Sequence, residues 1–219
     1  MASALPAYAE LHCISNFTFL RGASRPEELV ERAAQLGYAA LAITDECSLA
    51  GIVRAHIAAK EYQLKLLVGA EFRLADGLKL VLLATDRESY GDLSQLITTA
   101  RRRSAKGSYQ LDWSDVERGA GACLVLWIPD QAPDAAVAQR IATRFRGQAW
   151  IAVELLCGPD DRAQLERLHE LSLACGLPLV AAGDVHMHVR SRRPLQDMLT
   201  AVRLNTTVAD AKHALYPNA

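Results

Sequence analysis

Short apolar runs alternate with amphipathic stretches along the chain, and this alternation sets the first expectations. The run YAELHCIS (8–15) predicts an opening strand, and GASRPEELVERAAQLG (22–37) predicts a helix. In that helix Ser24 and Glu27 have capping-box spacing, Pro26 sits in the first turn and Gly37 supplies the stop. Leu29, Val30, Ala33, Ala34 and Leu36 form its apolar face. AALAIT (39–44) reads as a second strand, and 48–62 as a helix with Ile52, Val53, His56 and Ile57 at helical spacing. Further strands are predicted over 64–74 and 78–85, joined through an Asp76–Gly77 turn, and over 123–129, 149–156 and 177–186. Helices are expected over 88–103, 133–146, 160–175 and 194–204, the third of these stopped by Gly176.

Strands that are apolar on both faces and separated by helices imply a mostly parallel α/β sheet. A barrel and a doubly wound sheet are the candidate architectures. No internal repeat, low-complexity tract or Pro/Ser-rich linker interrupts the 219 residues, which suits one domain. The C-terminal stretch HALYPNA is turn-forming and uncapped, and residues 205–219 read as the start of a linker.

Composition narrows the class. Hydrophobic residues make up 51% and charged residues 22%, the balance of a soluble globular chain. A net charge of -1 gives no overall pull toward nucleic acid, so any DNA contact must be local or lie elsewhere in a longer chain. Five cysteines without a CxxC pair do not make a disulfide framework and suit a reducing cytoplasm. The N-terminus lacks the pattern of a signal peptide, and no apolar run reaches the length of a membrane helix.

Candidate chemistry collects where the predicted strands end. His12, Asp45 with Glu46, Glu71, Glu154, and the group Asp184, His186 and His188 occupy such positions. In AAGDVHMHV (181–189) the last three alternate with Val185 and Met187, so on a strand they would share one side. Carboxylates and imidazoles converging on one cavity need a cation or a proton between them, and mixed His and carboxylate ligands suit Zn²⁺, Mn²⁺ or Fe²⁺. Cys13 and Cys47 flank these positions and read as small buried residues.

The stretches ELHCISNFTFLRGAS, ALAITDECSLAG, LLVGAEF and LPLVAAGDVHMHVRSRRPLQDMLTA resemble, in order and spacing, the N-terminal PHP (polymerase and histidinol phosphatase) domain of bacterial C-family DNA polymerases. The likeness is greatest to the error-prone branch of the polymerase III alpha subunit, used in damage-induced translesion synthesis. It spans essentially the whole chain. It implies a distorted (β/α)7 barrel with mostly parallel strands, excised from a longer polymerase whose nucleotidyl transfer lies beyond residue 219. Active members of that family hold a trinuclear metal cluster at the strand ends and hydrolyse phosphoesters.

This chain departs from that pattern at specific residues. Where the family reads His-x-His, it has His12-Cys13-Ile14, and Ile14 cannot bind a metal. The family's Asp-Gly pair is Arg21-Gly22, and its Thr-Asp-His motif is Thr44-Asp45-Glu46. Leu156 follows Glu154 where relatives can carry a further ligand. Glu71, Asp184 and His186 match. The expectation is therefore a degenerate site without catalytic residues. Its remaining ligand types are His12, Glu71, Asp184 and His186, lined by Ile14, Arg21, Asp45, Glu46, Glu154, Leu156 and His188, with Arg21 standing in for lost cations. No resident cofactor is expected beyond Zn, Mn or Mg at low occupancy. The alternative is a metal-dependent phosphoesterase acting as a 3′–5′ exonuclease or a pyrophosphatase. A third reading, an amidohydrolase-like barrel, needs a Lys or an extra His at a middle strand end, and none is found there.

Two basic clusters stand out. Arg101–Arg103 suits the C-terminus of a helix, and Arg190, Arg192 and Arg193 suit a loop near the site mouth. Phosphate contact or contact with the rest of the polymerase are their functional readings. Implied partners are the polymerase core of the same chain, DNA through the full-length protein and other translesion proteins, in the cytoplasm and without a membrane.

Overall fold

The computed structural model describes residues 6–216, so residues 1–5 and 217–219, which include the last three of HALYPNA, lie outside it. Seven strands form one sheet in chain order: β1 (Ala9–Glu10), β2 (Ala40–Ile43), β3 (Lys65–Arg73), β4 (Lys79–Ala84), β5 (Leu124–Ile128), β6 (Ala149–Val153) and β7 (Leu179–Ala181). The helices are α1 (Pro26–Gln35), α2 (Ile52–Glu61), α3 (Arg87–Arg102), α4 (Trp113–Gly119), α5 (Ala135–Arg144), α6 (Asp161–Cys175), α7 (Arg193–Arg203) and α8 (Val208–Ala211).

β1, β2 and β3 are parallel, as are β5, β6 and β7, but β4 runs against both of its neighbours. The Asp76–Gly77 turn dictates this reversal. Gly77 sits at φ +90° and the Asp76 carboxylate accepts the Leu78 N–H at 3.1 Å, closing a tight link that only an antiparallel pair can use. The barrel closes beyond the short strands β1 and β7. There the Val185 N–H donates to the His12 carbonyl and the Ile14 N–H to the Val185 carbonyl, each at 2.9 Å. Glu10 braces the same seam, because its Oε1 accepts the N–H groups of His12 and Gly183, both at 2.9 Å. A Cβ on Gly183 would lie 2.4 Å from Glu10 Oε2, so any other residue there would push the Glu10 carboxylate out of its position at the seam.

Strand alternation sorts the side chains into an inner and an outer set. Ala42, Val81, Leu83, Leu126, Ile128, Ala152 and Ala182 fill the barrel interior. The opposite faces pack under the helices in two further clusters, one beneath α1 and α2 and one beneath α3 to α6. The inner positions of β3, β4, β6 and β7 continue upward to Glu71, Lys79, Glu154 and Asp184, so the apolar interior gives way to charge at one mouth.

Local details depart from the sequence expectations. On α2 the buried residues are Ile52, Ala55, Ala58 and Ala59, whereas Val53 and Ile57 face outward. The alanines let the helix approach the sheet closely. Helix α1 starts one residue later than expected: the Arg25 N–H is accepted by Glu28 at 2.9 Å, and Ser24 is free to bond elsewhere. Helix α4 was not anticipated. The expected linker at 205–219 begins with a further element, since Thr207 caps the short α8 through the Asp210 N–H at 3.2 Å. Among the described residues no helix is long and apolar enough to cross a membrane, and all five cysteines are free.

Candidate functional site

His12 lies at the centre of the charged mouth and is fully buried. Its Nε2 is 2.7 Å from Glu71 Oε2 and its Nδ1 is 2.6 Å from Glu154 Oε1, with Asp184 Oδ1 3.4 Å from the same nitrogen. A neutral imidazole has one N–H and one lone pair, so bonding carboxylates on both sides requires the imidazolium. Burial alone would push the pKa of His12 down; the bonds to Glu154 and Glu71 and the charge of Asp184 override it and raise it to about 10.

Glu71 meets three cationic side chains. Besides His12, its Oε1 accepts from Arg21 at 2.8 Å and its Oε2 lies 3.3 Å from Lys79 Nζ. Burial acts to raise its pKa, but His12, Lys79 and Arg21 hold the carboxyl well below its ordinary range. Arg21 also reaches Glu46 at 2.5 Å, and Glu46 in turn accepts from the Tyr109 hydroxyl at 2.9 Å. Lys79 reaches Asp184 at 3.7 Å. Three cationic side chains thus face four carboxylates across the mouth.

Lys79 has no place among the sequence candidates, and the expectation that no Lys stands at this end of a middle strand is wrong. The cause is the reversal of β4, which brings the first residue of that strand to the end where its neighbours finish, opposite Arg73 and Ile128. The Asp76–Gly77 turn was the signal that could have located it. Tyr216 and Glu10 were missed as well. The Tyr216 hydroxyl donates to the Asp184 carbonyl, and its ring stacks on His186 with centroids 4.1 Å apart.

Asp184, His186 and His188 do not share a strand face. β7 ends at Ala181, and Asp184 sits at φ +46°, which breaks the extended run. Asp184 and His186 still meet, with His186 Nε2 3.3 Å from Asp184 Oδ1, while His186 Nδ1 is buried without a partner. His188 turns away to Ser24, whose Oγ lies 2.8 Å from its Nδ1. Leu156 and His186 line a cavity of about 340 Å³ beside the network, with Arg190 and Tyr216 on its wall.

Asp45 stands apart from the ion cluster. It accepts from the Ser15 N–H and the Thr18 hydroxyl, each at 2.7 Å, and from the Ser15 hydroxyl at 2.8 Å. It therefore pins the loop after His12 instead of lining the mouth. Ile14 is fully buried and contributes its N–H to the barrel seam. Within the second basic cluster, Arg192 pairs with Glu28 and Arg193 with Asp197 at 2.8 Å, so two of its three charges are already met within the chain. Arg101 donates to the carbonyls of Glu46 and Cys47, and Arg103 holds Asp115, whose carboxyl is drawn down to about 2 chiefly by that bond.

The atoms best placed to ligate a metal belong to His12, Glu71 and Asp184 and lie within 4.8 Å of one another. An ion entering among them would have to displace the proton of His12 and the ammonium of Lys79. A general base needs a free lone pair near neutral pH; the doubly bonded His12 has none, and Glu71 is held by three cations. What the arrangement supplies is an ion-paired lock between separate strands, in which three cations offset most of the charge of four carboxylates.

Comparison with known proteins gives consistent results. A family model described as the PHP domain matches residues 10–152. A protein named error-prone DNA polymerase from Dechloromonas aromatica is 59% identical over 98% of this chain, which covers 21% of that protein. A protein of the same name from a species of Azoarcus is 56% identical over 98% of this chain and 23% of its own length. The chain thus spans about a fifth of the length of these relatives. A solved structure from Bifidobacterium adolescentis, provisionally described as a metal-dependent phosphoesterase, superposes with a TM-score of 0.65 at 19% identity, covering 84% of this chain and 89% of its own. That likeness is one of fold.

Proposed function

The chain belongs to the PHP domain family, and on that premise we propose that it is the PHP module of an error-prone DNA polymerase acting in DNA-damage-induced translesion synthesis. In this reading the module itself performs no chemistry. It braces the rest of a longer polypeptide, which carries out nucleotidyl transfer and brings the contacts with DNA and other translesion proteins, in the cytoplasm. The observation that supports a non-catalytic role is the state of His12: both ring nitrogens are spent on Glu71 and Glu154, and Arg21 and Lys79 supply the charge that divalent ions would otherwise bring. A resident metal is not part of this reading.

The test is turnover of a generic phosphodiester by the purified chain with Mn²⁺ or Zn²⁺, beside an Asp184→Asn variant and elemental analysis of both. The expected result is no turnover and no stoichiometric metal. A rate that disappears in Asp184→Asn overturns the reading.

The second reading, a metal-dependent phosphoesterase working on a DNA 3′ end or on pyrophosphate, draws on the convergence of His12, Glu71 and Asp184. The same assay with those two substrates decides it.

A further inference from the structure

Helix α7 is built inside out. Its buried residues are Gln196, Thr200 and Ala201, while Leu195, Met198, Leu199 and Val202 follow the i, i+3, i+4, i+7 rule on the other side. Met198 is 51% exposed and Val202 is 58% exposed. On the inner face the Gln196 amide N–H donates to the Arg21 carbonyl at 2.7 Å and the Thr200 hydroxyl donates back to the Gln196 carbonyl at 3.1 Å, while Gln196 Oε1 is buried without a partner. The aliphatic stripe has no such partner within the barrel.

Beside this stripe the loop after Ser15 presents Phe19, which is 82% exposed. A phenylalanine this exposed is unusual on an isolated domain, and here its placement is enforced. Thr18 is tied to Asp45 at 2.7 Å, the Arg21 and Gly22 N–H groups both return to the Thr18 carbonyl, and Leu20 takes φ +59°. Phe19, Leu195 and Leu199 together line a groove of about 300 Å³. A rigid aromatic anchor next to a helical aliphatic stripe has the make-up of an interface hot spot.

We propose that this face, Phe19 with the outer stripe of α7, is where the remainder of the same polypeptide docks on the barrel. The inference rests on the bracing role proposed above and assigns it a surface. The occupant is argued from chain length: a relative 59% identical over 98% of this chain uses only 21% of its length for the match, leaving 79% to be packed somewhere. An apolar face kept rigid and outward suits a partner that is always present, as a covalently attached one is. Surface helices of a free-standing domain turn such stripes inward.

The experiment uses the full-length polymerase carrying this domain, with a photoreactive benzoylphenylalanine at Phe19, at Met198 or, as a control on another exposed apolar face, at Ile57. Irradiation and peptide mapping should give intramolecular cross-links from Phe19 and Met198 to residues beyond 219, and none from Ile57. A Met198→Glu/Val202→Glu variant should lower the yield from Phe19 by roughly tenfold, equivalent to ~1.4 kcal/mol of docking energy. Both positions are exposed, so the barrel itself should keep its fold. Cross-links from Phe19 and Met198 to a second copy or a separate protein overturn the assignment of the occupant. Intramolecular cross-links from Ile57 alone overturn this surface but leave the bracing role standing. Cross-links from none of the three positions overturn both.

Discussion

Lys79 Nζ lies 3.3 Å from Glu71 Oε2, and the two residues reach that contact from strands that run in opposite directions. The contact completes a cage of cations around a carboxylate that is almost fully buried. Losing one member leaves that charge short of compensation, which is the costly way to break a buried pair. Lys79→Met should therefore destabilise the chain by about 2 kcal/mol, less than for an isolated buried pair because His12 and Arg21 remain beside Glu71. Urea titration measures it, and adding Glu71→Gln should recover part of the loss in a double-mutant cycle. Strictly additive costs would contradict the cage.

The pH dependence has a definite sign. His12 is raised to about 10 by Glu154 and Glu71 acting against burial, so the folded chain holds that proton more tightly than the unfolded one. Its contribution is complete below the ordinary value of 6.5, declines above it and is gone once pH passes about 10. Glu71 and Asp184 are depressed, so their contributions are present above their ordinary values of 4.5 and 3.8 and are lost as pH falls below them. Stability should peak at roughly pH 5–6.5 and fall on the alkaline side by up to ~1.4 kcal/mol per unit. A His12→Gln chain, weaker throughout, should lose the alkaline slope. An unchanging urea midpoint from neutral to alkaline pH in the native chain would show that His12 is not held as an imidazolium.

Cation replacement can be tested directly. If Arg21 and Lys79 occupy the place of divalent ions, removing both should restore a demand for them. Arg21→Ala/Lys79→Ala should melt lower than the native chain and gain several degrees with Mn²⁺ or Zn²⁺, whereas the native chain should gain none. Calorimetric scans with and without metal compare the two. Equal metal responses would refute the substitution.

Gly22 supports the loop that carries Arg21. A Cβ at that position would lie 2.0 Å from the Ser15 carbonyl oxygen, and the obstacle is backbone that cannot swing aside. Gly22→Ala should cost about 3 kcal/mol, at the upper end for a single substitution, and should loosen Arg21 from Glu71. Gly91→Ala, where the added methyl meets nothing within 4 Å, is the matched control. Equal melting temperatures for the two variants would refute the close approach.

Much of the architecture was legible in the chain itself. The apolar runs and the Gly37 and Gly176 stops located seven strands and most of the helices, because those signals are local. The misses arose where a tertiary contact decides. Val53 and Ile57 match the helical period but face outward, since the alanines at 55, 58 and 59 permit closer packing on the sheet. Ser24 has the right spacing for a cap and instead holds His188, because α1 begins a residue later. Around the site, convergence of His12, Glu46, Glu71, Glu154 and Asp184 was readable from strand ends, and Arg21 from the family motif it replaces. Lys79 was not, because in parallel strands only the C-terminal ends reach the mouth, whereas the strand after the Asp76–Gly77 turn brings its first residue there.

That turn has a topological corollary. In a uniformly parallel barrel every link at the mouth runs from strand to helix, and tight hairpins are absent there. Here one hairpin tip, Asp76–Gly77, stands at the rim above the ion cage, on the side where Lys79 enters. Residues inserted at that tip would grow across the opening as a flap without disturbing any helix, so it is the position at which a designer could fit this barrel with a cover.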